Sequence, residues 1–169
     1  MLDNYARHHE TGEPLPDEIL ERLQALGTFN QGFLTVEYLG AALLDQELHR
    51  LGEGETIEDL QTFTAQAIDR MGLGNAFVAP RYRPSYFAHI FGNSYDAAYY
   101  SYLWSEILDA DTVEWFKNNG GLNRETGERF RRDLLAQGHQ RPPLQSFENL
   151  IGRAPDMTPL LTRRGLIES

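Results

Sequence analysis

Apolar residues recur at helical spacing along nearly the whole chain, and that period constrains its fold more than any other feature. Leu15, Ile19, Leu23 and Leu26 share one face of a helix. Pro14 and Pro16 precede this run, Asp17 suits its first turn, and Gly27 ends it. A second helix is predicted over 30–51, with Phe33, Val36, Gly40, Leu43 and Leu44 as its buried stripe and Gly52 as its stop. Thr56 is the predicted N-cap of a third, which carries Ile57, Leu60, Phe63, Ala67 and Met71. Residues 75–94 hold two prolines and no sustained period, so they are expected to form a long irregular segment. Helix is predicted again over 95–118, with a second cap offered at Asp109, and over 124–137. Short helices follow Pro142-Pro143 and run over 158–164. No strand pattern competes, so the expected fold class is all-α, in a single helical domain spanning 1–169.

Composition excludes several functions. Acidic side chains outnumber basic ones 25 to 15, a formal net charge of −10. Nucleic acid and anionic lipid both require a basic face, so neither is an expected partner. The absence of cysteine removes a disulfide scaffold, a thiol nucleophile and a thiolate metal site. No apolar run approaches the roughly 20 residues of a membrane helix. The first residues lack the basic-then-apolar order of a signal peptide, and a cytoplasmic location is expected. The first third is strongly acidic and the last third mildly basic. Either the two ends attract each other or each is a solvated face.

The histidines are His8, His9, His49, His89 and His139, and no two stand one helical turn apart. His9-Glu10 begins like HExxH, but Glu13 occupies the place of the second histidine. No metal is expected on this chain. The informative stretch is YFAHIFGNSYDAAYYSYLW, residues 86–104. On a helix Tyr95, Tyr99 and Tyr102 would share one face, while Tyr100 and Leu103 would turn into packing. Such a stripe is either aromatic core or a row of hydroxyls. As core, each phenol must find a partner. As a row of hydroxyls, with His89 just before it, it can donate along a bound peptide and toward a developing oxyanion.

The segments YARHHETGEPLPDEILERL, FNQGFLTVEYLGAALLD, PRYRPSYFAHIFG, YDAAYYSYLWSEILDAD and RAPDMTPLLTRRGL follow one another along the chain. In that order they resemble the C-terminal part of the catalytic domain of the thimet-oligopeptidase family of zinc metallopeptidases. Within it, the peptidyl-dipeptidase (dipeptidyl carboxypeptidase) branch is the best match. The resemblance implies the multi-helix C-terminal lobe of a zincin-like oligopeptidase that hydrolyses short peptides, releasing C-terminal dipeptides. It also implies that HExxH and the downstream glutamate ligand lie upstream. The chain is then expected to be an inactive fragment, with zinc bound only in the full-length enzyme. Its partners would be peptide substrates and the missing N-terminal part, and uncovered apolar surface would drive self-association.

The resemblance assigns catalytic roles to His89, Tyr95 and Tyr102, which would bind substrate backbone and stabilise the oxyanion beside zinc. Tyr99 matches a third tyrosine, a substrate-binding residue. Gly92 opens a loop in which relatives carry two or three glycines. Here it reads Gly92-Asn93-Ser94, which predicts a stiffer loop. Arg81 and Arg83 are candidates for holding the substrate's free carboxylate, or they pair with the acidic first third. The alternative function is a non-enzymatic helical peptide-binding or scaffold domain.

Overall fold

A computed structural model describes residues 5–74, 77–92 and 94–168. The described residues are helical and contain no strand. Extended backbone pairs only in an isolated bridge between Arg7 and Pro14. The helices are α1 (Asp17–Leu26), α2 (Gln31–Leu48), α3 (Leu60–Arg70), α4 (Ala88–Gly92), α5 (Ser101–Asn118), α6 (Arg124–Asp133), α7 (Pro143–Ile151) and α8 (Thr158–Arg163). Single 3₁₀ turns lie at Pro84–Tyr86 and Leu135–Gln137. No described helix is long and apolar enough to cross a membrane.

Local chemistry sets the helix ends. The third helix starts later than the Thr56 cap predicts, because Asp59 takes both the Gln61 amide and the Thr62 hydroxyl. Asn123 and Thr126 form a reciprocal capping box at the start of α6. Helix α7 opens on Pro143 and closes on Gly152, whose φ of 88° is left-handed. The 124–137 prediction is shortened: α6 ends at Asp133 and a 3₁₀ turn follows.

Helix α2 is the centre of the molecule. Its buried residues are Gly40, Ala41, Ala42, Leu44, Asp45 and Leu48. Phe33 and Leu43, expected in the stripe, are exposed instead. The small residues at 40–42 explain the rotation, since they let the segment before α4 lie against the helix backbone. A Cβ on Gly40 would stand 3.3 Å from the Cα of Pro80, and the Arg81 amide donates to the Glu37 carbonyl at 3.0 Å. Leu44 and Leu48 of α2, Ala67 of α3, and Phe87, Ile90 and Tyr99 from the long connection make one core cluster. Burying Phe87 or Ile90 alone contributes about 1.5–3 kcal/mol.

Behind this layer, α5 packs on α8 and α7, and α7 packs on α6. Trp115, Phe147, Leu150 and Leu160 are buried there. Charge orders the same region. The buried Asp111 carboxylate accepts from Arg153 at 2.7 and 2.5 Å and from the Asp156 amide at 2.9 Å. Arg164 donates to Glu106 at 2.5 Å and to Thr35 at 2.9 Å, and Arg163 to Asp109 at 2.7 Å. The basic tail therefore finds its carboxylate partners on α5, not in the acidic first third.

Helix α1 has the amphipathic face its spacing predicts, yet none of its residues is buried. Ile19, Leu23 and Leu26 are exposed, and so is Phe29 just beyond.

Candidate active-site wall

The helix predicted from Tyr95 begins only at Ser101 and then runs without a break past Asp109. Residues 96–100 form a turn, in which Ala97 has a φ of 55°. Left-handed backbone at a residue with a Cβ costs roughly 1–2 kcal/mol, so something must hold it. Asp45 of α2 does so. One carboxylate oxygen accepts the Ala97 amide at 3.0 Å and the other the Tyr99 amide at 2.9 Å. Gln46 donates to the Ala97 carbonyl at 2.6 Å, and the Tyr38 hydroxyl donates to the Tyr99 carbonyl at 2.5 Å.

This turn brings the tyrosines together in a way a continuous helix would not. The Tyr95 and Tyr102 rings stack with centroids 5.1 Å apart, and Tyr99 meets Tyr102 edge-on at 5.3 Å. The His89 ring lies 5.6 Å from Tyr99 and 6.3 Å from Tyr95, and the Tyr95 amide donates to the His89 carbonyl at 3.3 Å. Four of the expected site residues thus form one aromatic group.

They differ in exposure. Tyr102 is 44% exposed and Tyr99 only 4%. Tyr95 and His89 lie between these extremes. Tyr99 therefore belongs to the core, stacked on Tyr38 at 5.3 Å and edge-on to Phe87 at 4.8 Å. The group is core on its inner side and faces solvent on its outer side. Tyr100, expected to point into packing, is 53% exposed, because the turn at Ala97 shifts the phase of the helix that follows.

The electrostatics agree with this division. Burial, then the neighbouring Tyr82 phenol, pushes the Tyr99 hydroxyl far above the usual phenol range. Burial likewise raises Tyr38. Tyr102 is raised first by its hydrogen bond with Tyr95. The Tyr102 phenol is therefore protonated at neutral pH and carries a proton to donate.

The two arginines separate. Arg81 holds its guanidinium 5.8 Å from the Tyr82 ring centroid, and Tyr82 meets Tyr99 edge-on at 5.9 Å. Arg81 thus lies beside the tyrosine group. Arg83 instead lines an open cleft of about 840 Å³ between α3 and the connection, beside Ile68, Val78 and Pro80. Gly92 is exposed at the end of α4. The Gly92-Asn93-Ser94 loop reading falls partly on Asn93, which lies outside the described residues. Ser94 has a φ of 61°. Asp45, Gln46 and Tyr38 were not legible as site residues. The one signal is an acidic side chain placed one turn from Ala41 and from His49 on a stripe of small and apolar residues.

Among the described residues no three His, Asp or Glu side chains converge as metal ligands do. The His8 and His9 rings lie tilted, 4.8 Å apart, at the exposed start of the chain, with the Glu10 carboxylate beside His9. These residues do not fit a zinc site.

Comparison with known proteins agrees with the resemblance. The chain is 41% identical to dipeptidyl carboxypeptidase of Escherichia coli (strain K12) over 166 residues, covering 98% of this chain and 24% of that protein. It is 36% identical to probable cytosolic oligopeptidase A of Arabidopsis thaliana, covering 98% and 24%. It is 33% identical to oligopeptidase A of E. coli, covering 94% and 23%. The chain thus spans about a quarter of the length of the curated relatives it matches. Peptidase family M3 matches residues 1–166, and the chain belongs to that family.

Proposed function

We propose that this chain is the peptide-aligning lobe of a zinc peptidase that hydrolyses short peptides and releases C-terminal dipeptides. The observation that supports this most is the stacked Tyr95–Tyr102 pair, its outer edge open to solvent, on a buried support made by Tyr99. In this reading the 169 residues act as one helical unit in the cytoplasm. The zinc and its ligands come from the part of the enzyme that precedes these residues, and that part also covers the apolar face of α1.

Tyr102 and Tyr95 donate hydrogen bonds to the scissile carbonyl as it gains negative charge. A donor placed where charge develops contributes about 3–4 kcal/mol to the transition state. His89 packs against both Tyr99 and Tyr95 and donates to substrate backbone. Gly92 leaves room for the peptide beside it. Arg81 holds the free carboxylate of the peptide, since its contact with the Tyr82 ring sets the guanidinium beside the wall. Arg83, at the neighbouring cleft, is the second candidate for that carboxylate.

The test is Tyr102→Phe in the full-length enzyme, which removes one hydroxyl and almost no volume. A kcat lower by about 10²–10³-fold with KM changed far less is the expected result. Tyr100→Phe, whose exposed ring stands apart from the stacked group, should leave both constants near wild type. Equal and small effects from the two changes would favour a helical scaffold without catalytic tyrosines.

A further inference from the structure

We propose that Asp45 is the positioning residue of the tyrosine turn: its carboxylate holds the left-handed bend at Ala97 and thereby sets the stacking of Tyr95 on Tyr102. The proposal rests on the reading of those rings as peptide-aligning and adds the device that places them.

The argument starts from geometry. Seven residues of continuous helix separate two Cα atoms by roughly 10 Å along the axis. The spacing of apolar and aromatic residues favours such a helix from Tyr95 onward. In the structure the two rings instead stack at 5.1 Å. The chain reaches that arrangement because it bends at Ala97, with a φ of 55°.

The bend is held from α2. Asp45 is completely buried. Its two oxygens accept the Ala97 and Tyr99 amides, at 3.0 and 2.9 Å. Its first oxygen also lies 2.9 Å from Nδ1 of His49, whose nitrogen is equally close to the Asp45 carbonyl. The partners of Asp45 thus aim both oxygens at the turn. The carbonyls of the same two residues are taken by Gln46 and Tyr38. Every backbone polar group of Ala97 and Tyr99 is therefore bonded to one face of α2. An anion is the acceptor best suited to two convergent amides, since charged hydrogen bonds are shorter and stronger than neutral ones. An asparagine at 45 would present an NH₂ group to one of those amides, and two donors would face each other.

Nuclear magnetic resonance on this chain tests the proposal without relying on catalysis. In Asp45→Asn, hydrogen-exchange protection at the Ala97 and Tyr99 amides should fall at least about tenfold. The ring–ring cross-peaks between Tyr95 and Tyr102 should disappear, while the amides of α6, α7 and α8 keep their protection. Adding Ala97→Gly to Asp45→Asn should restore part of the ring contact, because glycine adopts the bend without the carboxylate. An intact Tyr95–Tyr102 contact in Asp45→Asn would overturn the proposal. So would a loss of protection spread evenly over all helices and unrelieved by Ala97→Gly, which would make Asp45 a core residue only. Ala97→Val opposes the bend from the exposed side and leaves the core untouched. It should abolish the same cross-peaks, and their persistence would also overturn the proposal. Absence of peptide hydrolysis by the wild-type full-length enzyme would overturn the peptidase reading alone.

Discussion

Tyr99 shows how one side chain can tie the core to a solvent-facing aromatic group. Its ring fills the space between Tyr38, Phe87 and Tyr82, and its backbone is bound to α2 through both amide and carbonyl. Its buried phenol strongly prefers the protonated form, as does Tyr38, and this links stability to alkaline pH. The folded chain retains protons that the unfolded chain releases above the ordinary phenol value of 10.0. The stabilisation is whole below that value and is lost as pH rises toward the folded value. Urea midpoints should therefore stay level up to about pH 9 and fall from about pH 10 upward. Tyr99→Phe should flatten part of that fall, while costing roughly 0.5–1.5 kcal/mol at neutral pH for the loss of its hydroxyl. A wild-type midpoint unchanged into strong alkali would refute the buried phenols.

The elements owe their placement to α2, and α2 owes its role to its smallest side chains. Gly40 admits Pro80 to van der Waals contact with the helix backbone, and the same approach carries Arg81 and Tyr82 toward the tyrosine group. Gly40→Ala should destabilise the chain by about 1–3 kcal/mol, because the added methyl meets backbone rather than a side chain that can move. Urea unfolding measures it, and a neutral result would show that the connection is free to shift. In α6 the capping box closes on Asn123, whose side chain accepts the Glu125 and Thr126 amides, each at 3.0 Å. Asn123→Ala should cost about 1 kcal/mol. The loss should concentrate in α6 and the turn before it, as hydrogen exchange would report.

At the scale of the molecule, the exposed apolar face of α1 is the feature that no internal packing explains. Ile19, Leu23, Leu26 and Phe29 follow one another on the outside of the chain. Surfaces of this kind drive association. Sedimentation velocity at rising concentration should show self-association of the isolated chain. Leu23→Glu with Leu26→Glu should suppress it without loss of helical circular dichroism. A wild-type chain that stays monomeric at every concentration would contradict the idea that this face has a covering partner.

The all-helical class followed from sequence alone, because a 3.6-residue period with proline and glycine at the ends is a local property of the chain. That His89, Tyr95 and Tyr102 come together was expected for a related reason: a tyrosine in plain core must find a partner for its hydroxyl, and the flanking segments match a known family throughout. What the tertiary structure decided is where those side chains stand. Tyr95 to Tyr100 have the spacing of a helix, yet 96–100 form a turn, because a carboxylate 52 residues before Ala97 captures two of their amides. Asp45 itself reads as solvated, standing next to Gln46 and Glu47, and nothing local shows that it faces inward. A period reports which face is apolar. Only packing reports which polar group on that face has found its partners, since a buried charge is tolerated where distant backbone donors converge on it.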